Sequence, residues 1–284
     1  MRYVDDLPPT DSLMAELERF ANKVMRKKAV TLSEELEYIG PVIYENGKVL
    51  QALYNNLYGQ TNIRDYIICS LNGRNRKYDN TYRLLGKKVV CKNISVWQLG
   101  NDSVYNGHRM LGYRKYDADG VRPATIELIR KGILMNQLAG RRPSPVTRKS
   151  TGNQRMNGSR DYGWYASGTV LRISFDKTMS RKKLVKKLIA MAREQHSEYA
   201  YIISDWQGMI RINTKTGEQE EVWLKNGDNP SRLQLMGDIW ASKEETADRK
   251  ESVIHPKTIL FPLVELRINA SSPRKCERFA KLMH

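Results

Sequence analysis

Apolar positions recur at two spacings along the chain, and the change from one to the other divides it. Leu13, Leu17, Phe20, Val24 and Met25 keep to one face at three- and four-residue intervals, which predicts a helix from about Asp11 to Lys28. Thr10 or Asp11 is placed to cap it after Pro8-Pro9, because a short oxygen side chain accepts from the free first-turn amides. Ala29 to Tyr38 then leads into a short strand, Pro41–Tyr44. A second amphipathic helix follows, with Val49, Leu50, Leu53 and Leu57 on its buried face. Asn62 to Tyr82 carries a mixed signal, and Asn72–Asn80 reads as a polar loop.

Beyond that loop the pattern is one of strands. Lys88–Trp97 is rich in Val and Ile, and the turn Leu99–Asp102 separates it from a further strand over Tyr105–Tyr116. Asp117–Gly120 is a turn signal, since Asp and Gly tolerate the backbone angles required. Ala124–Arg130 and Ile133–Leu138 read as a hairpin about Lys131-Gly132. Arg141 to Gly163 is rich in Gly, Ser, Pro, Asn and Arg and is expected to be a long functional or mobile loop.

Thr169–Phe175 predicts a strand. Ser180 opens a helix to about Gln195, with Leu184, Val185, Leu188, Ile189 and Met191 facing inward. Arg181, Lys182 and Lys183 fill its first turn, where the helix dipole disfavours cations. That misfit marks either an anion-facing helix start or a solvated basic face. Strands are expected at Tyr199–Ser204, Met209–Asn213, Gln219–Leu224, Leu233–Ala241 and Thr258–Ile268, with Thr214–Glu218 a tight turn. Ile259 to Leu266 is nearly continuous apolar sequence, as in a strand covered on both faces. Pro262 within it calls for an edge or a bulge. About ten strands with about three helices make an α+β fold with a mostly antiparallel sheet. The expected divisions are an N-terminal helix and linker over residues 1–35, one main domain over 36–270 and a basic tail over 271–284.

Composition supports a folded chain: 40% hydrophobic and 28% charged residues over 284 positions leave ample material for a core. No apolar run approaches the roughly 20 residues that span a bilayer. The opening MRYVDDLPPTDSL has no apolar core of a secretory signal, so a cytoplasmic protein is expected. Cys69, Cys91 and Cys276 form no CxxC pair and read as reduced thiols. His108, His196, His255 and His284 have no metal-ligand spacing, and GxSxG is absent. Charge changes the picture more: 48 Lys and Arg against 31 Asp and Glu give +17, a field that favours anionic partners. Arg141–Arg160 with the neighbouring Tyr162, Trp164 and Tyr165 makes a nucleic-acid-binding protein one reading, since aromatic rings can stack bases while cations meet phosphates.

Several segments, in order, resemble the C-terminal half of the TldD/PmbA family of metallopeptidases. They are GPVIYE (Gly40–Glu45), LGKKVV (Leu85–Val90), DADGV (Asp117–Val121), IELIRKGILMNQL (Ile126–Leu138), KSTGNQR (Lys149–Arg155) and, more loosely, ILFPLVEL (Ile259–Leu266). The resemblance runs from about residue 35 to 268 and implies a missing upstream half, in which case export stays open. It implies zinc-assisted peptide hydrolysis in active relatives. There a helix supplies two histidines and a glutamate, and a cysteine comes from later in the domain. Here the matching helix region holds Glu45, Asn46, Lys48, Gln51 and Asn55, and Ile239–Ser252 contains no cysteine. Glu45 would be a lone remnant acid.

The expectation is therefore a PmbA-like, non-catalytic subunit with no cofactor or metal and no catalytic residue. Its partners would be a zinc-bearing TldD-like relative or a second copy, together with unfolded peptide, and no membrane. Ser150, Thr151, Gly152, Asn153 and Arg155 are candidates for gripping a peptide backbone or an anion, or else form a structured turn. The alternatives are a basic nucleic-acid-binding protein that reuses the fold and an active zinc peptidase with displaced ligands.

Overall fold

The computed structural model describes residues 9–26, 36–54, 63, 67, 81–141, 149–156, 164–204, 208–223, 230 and 232–268. Helix α1 (Thr10–Arg26) comes first, then strand β1 (Leu36–Glu45) and helix α2 (Gly47–Leu53). A run of short strands follows: β2 (Ile94–Gln98), β3 (Val104–Tyr105), β4 (His108–Arg109), β5 (Ile126–Arg130) and β6 (Ile133–Leu134). Next are β7 (Gln154–Met156), β8 (Trp164–Ala166), β9 (Leu171–Phe175) and β10 (Thr178–Met179), and then helix α3 (Arg181–Glu194). The remainder is β11 (Tyr199–Ile203), β12 (Gly208–Asn213), β13 (Gln219–Trp223), α4 (Arg232–Met236), β14 (Trp240–Ser242), β15 (Glu245–Asp248), β16 (Val253–Pro256) and β17 (Thr258–Ile268).

These strands make a seven-stranded sheet in the order β10-β14-β17-β1-β11-β12-β13 and a six-stranded sheet in the order β15-β16-β9-β2-β5-β6. Pairing is mostly antiparallel; β1 with β11, β10 with β14, and β16 with β9 run parallel. The fold is α+β, as expected.

Strand alternation sets the layering. Val42 and Tyr44 of β1, Tyr201 and Ile203 of β11, and Ile259 and Phe261 of β17 enter one core. Ile94 and Val96 of β2 and Leu171, Ile173 and Phe175 of β9 meet them there from the smaller sheet, and α2 adds Val49, Leu50 and Leu53. The intervening residues Ile43, Ala200, Ile202 and Leu260 point the other way and bury Leu184, Leu188 and Ala192 of α3. The larger sheet is thus covered on both faces, which is why Ile259 to Phe261 is uninterrupted apolar sequence. Deep in the shared core, the rings of Tyr38 and Tyr201 meet edge to face with centroids 4.5 Å apart. Burial, the largest cause, raises the Tyr201 phenol to about 12 and pushes that of Tyr38 well above its ordinary range.

β17 is central, and Pro262 sits in it at a bulge. Gly40 pairs with Val264 and Val42 with Phe261, so β17 carries one residue more than β1 across that interval. Of the two readings Pro262 allowed, the bulge holds and the edge does not.

The hairpin about Lys131-Gly132 forms, with φ of 45° and 81° at those residues. Gly132 also packs against the chain before β2: its carbonyl accepts from Val89 N–H at 2.8 Å, and a Cβ there would meet Val90 O at 2.6 Å.

Elsewhere the elements differ from the pattern. β1 begins at Leu36, before Pro41, because β17 pairs with it from Ile268 inward. Thr10 is already helical, and Leu13 and Leu17 are 38% and 60% exposed, so these two side chains are not packed into the core. Val89, Val90 and Cys91 are buried in irregular chain rather than in a strand. Tyr105–Tyr116 contains only the end of the β3–β4 hairpin, which turns at Asn106-Gly107. Part of the expected long loop is strand β7, which pairs with β8 just beyond the loop. The first part of Leu233–Ala241 belongs to α4, and β14 starts only at Trp240. Leu57, Asn72–Asn80, Cys69, Cys276, His284, Tyr162 and residues 271–284 lie outside the described residues.

Candidate functional site

Two regions carry the residues singled out for chemistry: the turn into α2 with its polar side, and the loop before β7.

β1 delivers Glu45 to the start of α2. Asn46 then turns the chain with φ 56° and ψ −129°, a left-handed φ that glycine adopts most easily. Its N–H donates to Lys257 O at 2.9 Å, and its carbonyl accepts from Val49 N–H at 3.0 Å. The helix has no side-chain cap. Val49, Leu50, Ala52 and Leu53 are buried, which leaves Lys48 and Gln51 on the other side, where Lys48 Nζ donates to Gln51 Oε1 at 2.9 Å. Glu45 is engaged by a residue far along the chain. Arg181, in the first turn of α3, donates from Nε to Glu45 Oε1 at 2.6 Å and from Nη2 to Glu45 Oε2 at 3.4 Å.

Zinc needs histidine, carboxylate or thiolate donors converging on one point. The residues here do not fit it. Lys48 brings a cation to the helix, Asn46 and Gln51 offer only amide oxygens, and the Glu45 carboxylate neutralises Arg181. Asn55 lies outside the described residues. Among the described residues, no group of three His, Cys, Asp or Glu is placed to share a metal ion. His255 is buried in β16 with Nδ1 2.9 Å from Pro256 O, whereas His108 and His196 are exposed.

The loop Ser150–Arg155 turns its polar groups inward. Asn153 and Gln98 are 1% and 0% exposed and form a reciprocal amide pair. Asn153 Nδ2 donates to Gln98 Oε1 at 2.6 Å, and Gln98 Nε2 donates to Asn153 Oδ1 at 3.0 Å. The second Nδ2 hydrogen of Asn153 goes to Ser167 O at 2.9 Å, so both its donors are occupied within the fold. Thr151 Oγ1 accepts from Ala139 N–H at 2.8 Å and donates to Asn153 Oδ1 at 2.7 Å. Ser150 Oγ accepts from Gly152 N–H at 3.1 Å. Gly152 has φ +74°, and a Cβ would meet Arg122 O at 2.4 Å and Pro123 Cα at 2.5 Å, so only glycine fits there. Arg155 Nη2 donates to Gly168 O at 2.7 Å and Gly112 O at 3.3 Å.

The adjoining DADG turn is tied to this loop through Asp117. Its Oδ2 accepts from Gln154 N–H at 3.0 Å, and its Oδ1 accepts from Asp119 and Val121 N–H at 2.9 and 2.8 Å. Sequence reasoning read DADG and KSTGNQR as separate segments and missed Gln98 and the Glu45–Arg181 pair. Each link joins residues distant in the chain, and no local spacing announces it.

The comparisons with known proteins agree with this architecture. TldE from Thermococcus kodakarensis has a similar structure, at TM-score 0.55 and 16% identity over 88% of this chain and 54% of that one. Proteins named as modulators of DNA gyrase follow. One from Thermotoga maritima has TM-score 0.51 and 14% identity, covering 81% of this chain and 50% of that one. One from Bacteroides thetaiotaomicron has TM-score 0.52 and 13% identity, covering 89% and 52%. The chain spans about half the length of these solved relatives. No curated protein matches it. The PmbA/TldA metallopeptidase C-terminal domain is matched over residues 43–231, two thirds of the sequence, and the chain belongs to that family.

Proposed function

We propose that this chain is a metallopeptidase-like, non-catalytic subunit that pairs with a zinc-bearing relative or with itself and helps to enclose an extended, unfolded peptide. One observation carries the reading: at the start of α2 the only carboxylate among the described residues, Glu45, is held by Arg181, while Lys48 and Gln51 pair with each other on the helix. A carboxylate whose oxygens accept from a guanidinium is a poor candidate for a metal ligand. Family membership supports a peptidase-like surface around this domain. The loop Ser150–Arg155 shapes that surface in this reading and does not grip the peptide, because its donors are engaged internally.

Metal analysis of the purified chain with a peptidase assay tests the proposal. The expected result is substoichiometric zinc and no cleavage of an unfolded peptide, with peptide binding detectable once the zinc-bearing relative is added. Stoichiometric zinc with EDTA-sensitive cleavage would overturn it.

A further inference from the structure

We propose that the outward face of α3 is an interface for the phosphate backbone of duplex nucleic acid. The inference does not rest on the peptidase-like reading.

The apolar stripe of α3 is used up in packing. Leu184, Leu188 and Ala192 are buried against Ile43, Ala200, Ile202, Ile212 and Leu260 of the larger sheet. The opposite side therefore faces solvent, and Lys182, Lys183 and Lys186 on it are exposed. Two further exposed lysines flank the helix start. Strand pairing sets Thr178 beside Ala241 and Met179 beside Ser242, and Lys243 N–H donates to Met179 O at 3.1 Å. Lys177 and Lys243 thus sit at the same end as the lysines of the first turn. The acids in that neighbourhood are Asp176, Glu244 and Glu45, and Glu45 is already paired with Arg181. Among the described residues none of these five lysines pairs with a carboxylate.

The arrangement is costly for an isolated helix in three independent ways. The first turn holds no acid, and with Arg181 paired to Glu45 the lysines Lys182 and Lys183 remain there to oppose the helix dipole. Lys182 and Lys186, and Lys183 and Lys187, are like charges one turn apart. Ser180 stands at the cap position without a side-chain cap bond, so its hydroxyl does not offset the exposed first-turn amides. A polyanion laid along this face relieves all three.

Nucleic acid fits better than a lipid surface, because α3 has no large apolar side chain on its outer side to insert between lipids. The same lack of an apolar anchor disfavours a protein interface, whose core is built from such side chains. Lys187, over the Trp240 ring at 4.3 Å, keeps a further cation at the border of the face.

The test measures anisotropy of a labelled duplex of about 20 base pairs with the full chain, between about 50 and 200 mM salt. The variant K182Q/K183Q/K186Q is compared with K131Q/K215Q/K250Q, which removes the same charge from exposed turns elsewhere. The α3 variant should reduce the slope of log K against log salt by about 2–3, roughly one per lost phosphate contact, and weaken binding at least tenfold at low salt. The control should change the slope by less than about one. The melting temperature of the α3 variant should hold or rise, because repulsions within α3 are removed. Equal losses in the two variants would assign any binding to net charge and overturn the proposal. Absence of duplex binding at low salt would overturn it too, and so would capture by phosphatidylserine vesicles without duplex binding.

Discussion

The loop Ser150–Arg155 and the polar side of α2 both carry amides and one cation, yet the fold uses them in opposite ways. In the loop every polar group turns toward the protein, and Asn153 is buried against Gln98. On α2 the polar groups meet one another at the surface, and the apolar face alone anchors the helix. Polar residues in the loop allow either a binding element or a structured turn, and polar residues on the helix suggest a lost site. The loop's hydrogen bonds tie it into the fold, and the helix surface is where chemistry is open to change at little cost to folding.

The contrast can be broken by mutation. Asn153→Ala should lower stability by about 3 kcal/mol in denaturant titration, because the Gln98 amide is left buried with unmet bonds. Gln51→Ala and Lys48→Ala should each stay within about 0.5 kcal/mol. Similar losses at Asn153 and Gln51 would erase the distinction, whereas a double-mutant cycle with Gln98→Ala that shows coupling would sharpen it. Gly152→Ala should cost about 2 kcal/mol through its left-handed φ and the contact with Arg122 O.

An inward polar group of another kind offers a pH test. The folded pKa of Tyr201 is about 12, raised mainly by burial, with Glu198 and Tyr199 adding to it and Arg211 opposing. The folded state therefore holds this proton more tightly than the unfolded chain. Its contribution is fully present below the unfolded value of about 10 and lost as pH rises through about 12. Melting temperature should fall over that window, and less so in Tyr201→Phe.

Arg181→Ala should cost only about 0.5–1 kcal/mol, since Arg181 is 54% exposed, and it leaves Glu45 without its partner. Zinc titration of that variant asks whether the surface of α2 regains any metal affinity; none is expected. Smallest of all, Asn46→Gly should stabilise by roughly 0.5 kcal/mol, because glycine relieves the positive φ of Asn46.

Much of the framework was readable from local pattern. The hairpin at Lys131-Gly132, the DADG turn, α3 and the full extent of β17 follow from turn residues and apolar spacing. What escaped depends on distant partners. Val89 to Cys91 look like strand because they are apolar, but they are buried by packing against the turn at Gly132 and the end of α4. Leu233 to Ala241 reads as strand from its apolar residues, while the structure makes α4 of its first part. β15 and β16 went unread because ETAD and VIHP are short, and β16 acquires strand character from its pairing with β9. The same holds at the candidate sites: the residue types were visible, but the partners that decide their roles, Gln98 and Arg181, were not.

The pairing of β1 with β17 has a consequence for the order of folding. Leu36 sits opposite Ile268 and Glu45 opposite Thr258, so the middle of the larger sheet is closed by its final strand. A chain emerging from the ribosome therefore presents β1 with one edge open until β17 has been made. Parallel docking on β11 is the first lasting cover that β1 can receive. Over that interval the exposed backbone of GPVIYE is a strand edge available to any neighbouring chain, which makes nascent-chain handling, more than final stability, the step at which this domain is most vulnerable.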